Sequence, residues 1–158
     1  MNKQRIVLIR IKGKPGLNKT LKSTLQMLRL YKKHNCVVIE NTPQYVGMIQ
    51  QVKEVITWGE IDEKTFRLLL EKRGKLPGAM KLTNEYLKAK CNTDFDAFTK
   101  DFMACEKELK DIPGLKPFFK LNPPVHGFER KGLKVPYSLG GVVGYRKDNI
   151  NELLARMM

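Results

Sequence analysis

Ten cations fall within the first 33 residues of this 158-residue chain, and no acid stands among them. They are Lys3, Arg5, Arg10, Lys12, Lys14, Lys19, Lys22, Arg29, Lys32 and Lys33. Ammonium and guanidinium groups in such a run suit one kind of chemistry: they neutralise a line of phosphates and release the counterions condensed on it. A sparser set lies further on, where Arg130, Lys131, Lys134 and Arg146 alternate with Phe118, Phe119, His126, Phe128, Tyr137 and Tyr145. Residues 34–112 are balanced, with 12 basic and 13 acidic side chains, whereas residues 113–158 carry eight basic and three acidic ones. A surface that only kept the chain in solution would scatter its charge. The net +14 is therefore read as a binding face for a polyanion, nucleic acid first and an anionic membrane surface second.

Other chemistry finds no residues to carry it. His34 and His126 are far apart, there is no Cys-x-x-Cys, and no metal-ligand spacing occurs. Neither a Gly-x-Ser-x-Gly turn nor a Gly-x-Gly-x-x-Gly motif is present, so no nucleophile or cofactor cradle is expected. Gly13-Lys14-Pro15-Gly16 lacks the spacing and ending of a Walker loop. The acid pairs Glu60 and Asp62, and Asp94 and Asp96, fall where helix N-termini favour negative charge. The expectation is a protein that is no enzyme, with no cofactor, metal or small-molecule substrate. Three widely spaced cysteines, Cys36, Cys91 and Cys105, argue against a disulfide framework and for a reducing cytoplasm. The apolar run Ile6–Ile9 is too short for a secretory signal, and nothing approaches the ~18 apolar residues of a membrane span. No strongly basic amphipathic helix has the aromatic apolar face that peripheral membrane binding would want.

The elements that must hold these cations follow from periodicity. Arg5–Lys12 reads as a strand with apolar residues on both parities, hence a central strand covered on both faces. The Gly13–Gly16 loop follows, bracketed by Lys12, Lys14 and Lys19, and its glycines let backbone approach a phosphate. A helix from Asn18 to about Leu30 turns Leu21, Leu25 and Leu28 inward. Lys19, Lys22, Gln26 and Arg29 share its other side, as a phosphate-contacting face rather than a merely solvated one. His34–Glu40 is a second strand, and Thr42-Pro43 starts a second helix with the hydroxyl at the N-cap and proline in the first turn. Gly47 inside that helix implies either a tight helix–sheet contact or close approach of RNA backbone. Val55–Ile61, with Trp58, is the third strand.

Beyond it, helices are expected from Asp62 to Arg73, over residues 83–90 and over residues 93–110, with Phe95, Phe98 and Phe102 as a core stripe. Residues 115–145 are rich in Pro and Gly and should be irregular, functional or ordered by a partner. There His126, Tyr137 and Tyr145 could stack on bases or pack on the domain. Asp148 should cap a last helix with Ile150, Leu153, Leu154 and Met157 inward.

Three segments carry a family resemblance. RIVLIRIKGKPGLNKTLKSTLQMLRL and VVIENTPQYVGMIQQVKEVITWGEI, with Glu40-Asn41-Thr42-Pro43 and Gly47-Met48 as the sharpest motif, resemble the core of the universal large-subunit ribosomal protein of the L-thirty family. The segment FKLNPPVHGFERKGLKVPYSLGGVVGYRKDNINELLARM resembles the long form of archaea and eukaryotes, and the missing basic arm before residue 1 favours the archaeal one. The resemblance implies an α+β fold: a small three-stranded antiparallel sheet, β-α-β-α-β and somewhat ferredoxin-like, with the first strand central and two helices on one face. Residues 1–61 would form that core, and residues 62–158 a helical insertion and basic extension packed on the second face. It also implies a structural, cytoplasmic component of the large ribosomal subunit that binds folded ribosomal RNA, near the 5S RNA and beside other ribosomal proteins. The loop and its lysines, the first helix face and the start of the Thr-Pro helix match the family's contacts. The implied set is Arg10, Lys12, Lys14, Lys19, Lys22, Gln26, Arg29, Lys32 and Lys33, then Thr42 and Gln44, joined by Arg130, Lys131, Lys134 and Arg146. The competing reading is a free-standing RNA chaperone or regulator; an RNA-modifying enzyme would need machinery the chain lacks.

Overall fold

A computed structural model describes residues 4–158; the expectation that Lys3 joins the basic face lies outside them. Strand β1 (Arg5–Arg10) is buried along its whole length. It lies antiparallel between β2 (Asn35–Glu40) and β3 (Ile56–Glu60), pairing Ile6 with Ile39 on one side and with Glu60 on the other. The sheet is larger than the three strands expected. It has five, in the order β4-β2-β1-β3-β5, because the extension adds β4 (Phe119–Lys120) antiparallel to β2 and β5 (Gly144–Tyr145) parallel to β3. Strand β4 is short for a physical reason. Beyond Phe119 the next residue able to exchange hydrogen bonds with β2 is Pro117, which has no N–H to offer.

The alternation along β1 sorts the core into two layers. Ile6 and Leu8 meet Leu25, Leu28, Ile49 and Val52 of helices α1 (Lys19–Met27) and α2 (Pro43–Val52) and their flanks. Val7 and Ile9 face the other way, onto Phe66, Leu69 and Leu70 of α3 (Glu63–Arg73), past which come α4 (Asn84–Cys91) and α5 (Phe95–Met103). That second layer also holds Phe98, Phe102 and the inward stripe of α6 (Ile150–Met157), namely Ile150, Leu153, Leu154 and Met157. Helices therefore cover both sheet faces, the second through the extension. The Phe66 and Phe102 rings stack at 4.3 Å, which makes the aromatic stripe core.

Several helix ends differ from the periodicity. Helix α1 stops at Met27 rather than Leu30, and Arg29 takes φ 59°, so its side chain leaves the helical face. Helix α5 stops at Met103 instead of running to residue 110; Cys105 turns left-handed, and a short 3-10 turn follows at Leu109–Asp111. Arg5 supplies what pattern could not show: its Nε and Nη2 donate to the carbonyls of Phe102 and Lys107, closing the C-terminal end of α5 against β1. Thr42 does cap α2, accepting from the Tyr45 amide at 3.4 Å, with Pro43 at the first position. Asn18 and Asp62 occupy N-cap positions without a side-chain bond, and α6 is preceded by a 3-10 turn over Lys147–Asn149, so Asp148 does not cap it.

Candidate nucleic-acid interface

Strand β1 ends at the same edge of the sheet where β2 and β3 begin, and the chain's separate basic segments meet there. Arg10 makes the first tie. It is buried, only 2 % exposed, and donates from Nε to the Lys12 carbonyl and from Nη1 to the carbonyls of Leu30 and Tyr31. One guanidinium thus holds the stretch carrying Lys12 and Lys14 beside the stretch carrying Lys32 and Lys33. The second tie is His34, which precedes β2: its ring stacks on Phe128 at 6.1 Å, and its carbonyl accepts from Leu121 N–H. That contact brings to the same end the stretch that leads into Arg130, Lys131 and Lys134. Burial, then the charge of Lys33, hold the His34 imidazole below its ordinary pKa, so it stays neutral at pH 7.

Lys14, Lys19, Lys22, Gln26, Lys32, Lys33, Gln44, Arg130, Lys131 and Lys134 are exposed, and Lys12, Arg29 and Thr42 are half-buried. None of the lysines or arginines in that set forms an ion pair among the described residues. They are free to meet an outside anion. Two candidates are corrected. Arg10 positions the cationic loops and presents no guanidinium face to a partner. Arg146 is also 2 % exposed. It grips the Glu129 carboxylate with two nitrogens, donates to Thr57 Oγ1 at 2.9 Å and lies 4.4 Å over the Tyr137 ring. Of the aromatic residues left open, Tyr137 is thereby packing. Tyr145 tilts against Trp58, and its hydroxyl donates to Glu60, a bond that with burial pushes its pKa up to about 12.

The same end carries cations that sequence reasoning omitted. Lys120 pairs in register with Asn35 at the start of β2, and Lys53 stands just before β3; both are exposed, with the acid Glu54 beside Lys53. Their only signal is register, which a run of residues does not display.

Arg10→Met is expected to lower unfolding free energy by about 2–4 kcal/mol, because three carbonyls lose a charged donor in a buried setting. Urea denaturation with an unchanged m-value would register it.

Comparison with known proteins agrees with the sequence motifs. The family model described as Ribosomal protein L30p/L7e matches residues 6–56, the span from β1 to β3. Over 151 aligned residues the chain is 44 % identical to Large ribosomal subunit protein uL30 of Methanopyrus kandleri, covering 94 % of this chain and 100 % of that one. The chain belongs to the ribosomal protein L30p/L7e family. The protein of the same name from Methanosphaera stadtmanae is 47 % identical over 96 % of this chain and 98 % of its own. That from Methanococcus vannielii is 43 % identical over 95 % and 97 %. These relatives are archaeal and match the extension as well as the core, so the long form is shared. The L30p/L7e family is a structural component of the ribosome and no enzyme. No helix among the described residues is long and apolar enough to cross a membrane.

Proposed function

We propose that this L30p/L7e member is a structural protein of the large ribosomal subunit in the cytoplasm, and that the end of the sheet where β1 stops clamps folded ribosomal RNA. The observation that carries the reading is the convergence of unpaired cations from both basic segments, tied together by Arg10 and by His34 on Phe128. Lys12, Lys14, Lys32 and Lys33 would meet phosphates around the loops, Lys19, Lys22, Gln26 and Arg29 along and just beyond α1, and Arg130, Lys131 and Lys134 from the extension. Thr42 and Gln44 would contribute from the start of α2, where free backbone N–H groups and the helix dipole also favour an anion. Lys53 and Lys120 extend the set. Lysines and arginines spread over several loops read shape and phosphates, as folded RNA is commonly read. A position near the 5S RNA, with ribosomal proteins as neighbours, is supported by the family resemblance.

Crosslinking within the native large subunit tests this. Peptides spanning residues 12–33 and 128–134 should attach to ribosomal RNA, and some RNA crosslinks should fall near the 5S RNA. Crosslinks from both segments to protein alone would overturn the clamp. Gradient sedimentation separates the chaperone reading: a structural component travels with the large subunit at one copy per particle, whereas a chaperone is found mostly outside it.

A further inference from the structure

Gly47 sits in the middle of α2, where glycine weakens a helix relative to alanine. Nothing in the fold asks for it. A Cβ built on Gly47 meets no atom within 4 Å, its φ is not left-handed, and the residue is exposed. The tight helix–sheet contact that would have explained it is absent, since Ile49 and Val52 make that contact from the opposite side. At 100° per residue, Gly47 is the crest of the outward face, flanked by Pro43, Gln50 and Gln51 with Gln44 further round. The face is also free of charge. In a chain with 29 % charged residues, Asn41–Val52 carries none.

Beside it lies the basic helix. Thr24 Oγ1 of α1 is 3.1 Å from Gln51 Oε1 of α2, so the two helices form one layer; at 100° per residue Lys19, Ser23 and Gln26 lie on the outward side of α1 and Lys22 on its flank away from α2, all four exposed. We infer that an RNA strand crosses this layer with its phosphates on α1 and its sugar edge against α2, the backbone at Gly47 in van der Waals contact with riboses and the Gln44 and Gln50 amides, with the Gln51 amide nitrogen, on 2′-hydroxyls. Amides and a bare Cα suit that edge. The RNA minor groove is shallow and displays 2′-hydroxyls, which amides can both donate to and accept from, whereas phosphates would call for cations. A protein helix could also use a glycine crest, but three amides and the Lys19 cation on the outward side of the neighbouring helix favour RNA. This inference rests on the RNA-clamp reading and adds which face touches sugar rather than phosphate.

The test uses the full chain and a transcript of the large-subunit ribosomal RNA, with Gly47→Ala, Gln50→Ala and the doubly reversed Lys14→Glu, Lys22→Glu as variants. Gly47→Ala should raise the Tm of the free protein by about 2–4 °C. It should also weaken binding to the transcript about 10-fold while leaving the slope of log affinity against log salt unchanged, since no phosphate contact is lost. Gln50→Ala should show the same unchanged slope with a smaller loss. Stabilisation with unaltered RNA affinity overturns the inference, and so does a loss seen only in assembly of the particle, which would assign the face to a protein. If the lysine variant binds like wild type, the clamp reading itself fails; if it loses binding while Gly47→Ala does not, only the sugar-edge assignment fails.

Discussion

Lys14→Glu combined with Lys22→Glu should lower affinity for large-subunit ribosomal RNA by about 100-fold near 0.1 M salt, and lessen the salt slope by about 1.5–2. The fold should be untouched. Both side chains are exposed, neither forms an ion pair among the described residues, and neither hydrogen-bonds to the protein. The size of the effect comes from turning two attractions into two repulsions next to a phosphate chain, while the slope reports the counterions no longer released. A control separates place from total charge. Lys64→Glu with Lys100→Glu removes the same four units of charge from exposed positions on α3 and α5, which pack against the other face of the sheet. If the RNA meets the β1 end and the α1–α2 layer, that pair should change affinity only a few-fold, through the long-range field. Equal losses from the two double variants would mean that bulk charge, not a built face, drives binding. Filter binding or fluorescence anisotropy across a salt series measures both numbers.

The contrast between Lys14 and Arg10 marks what is legible in a sequence. Both lie in the same acid-free run, and composition treats them alike. Parity along β1 places the Arg10 side chain with Ile6 and Leu8 toward the helices, but whether a guanidinium at a strand end turns out to solvent or back onto carbonyls depends on where Leu30 and Tyr31 run. That path is set by α1 ending at Met27, a boundary that leucine spacing cannot fix because Leu28 and Leu30 are buried even after the helix stops. Periodic elements were readable for the opposite reason. The two apolar parities of β1, the Thr42-Pro43 start and the Phe95, Phe98, Phe102 stripe each state a local geometry that the tertiary fold then uses. The edge strands were not readable: Phe119–Lys120 and Gly144–Tyr145 have two residues each and no periodicity, and they exist only because β2 and β3 offer free edges. Gly47 lies between these cases. Its type was informative, and the structure decided between the two reasons for it.

Breaking the Glu129–Arg146 pair should be the most damaging single change to the extension. Arg146 donates to both Glu129 carboxylate oxygens, to Thr57 Oγ1 and to the Val142 carbonyl, and Thr57 in turn donates to Gly144, so one guanidinium joins the irregular segment to β3. Glu129→Ala leaves that cation buried without its counter-charge. Breaking a buried pair from one side costs about 3–5 kcal/mol, and the part-exposed carboxylate moves the expectation to the lower end. Glu129→Gln is milder and carries the diagnostic. Burial alone would raise the Glu129 carboxyl, but its hydrogen bonds from Arg146 and a backbone amide, with the charges of Arg146 and Arg156, bring it below the ordinary value of 4.5. A carboxyl lowered in the folded state stabilises fully above its unfolded pKa and loses that contribution as pH falls through the folded one. Wild type should therefore exceed Glu129→Gln in stability at pH 7, and the gap should narrow as pH falls below the ordinary carboxyl value and close once the folded carboxyl takes up its proton. A gap that stays constant from pH 7 to pH 3 would show that the charge of Glu129 is not what holds Arg146. Binding supplies a second readout. Loosening this hub frees Arg130, Lys131 and Lys134 from the end of the sheet while leaving Lys14 and Lys22 in place, so Glu129→Ala should weaken RNA binding less than the double lysine reversal does, through the loss of one of the two converging segments.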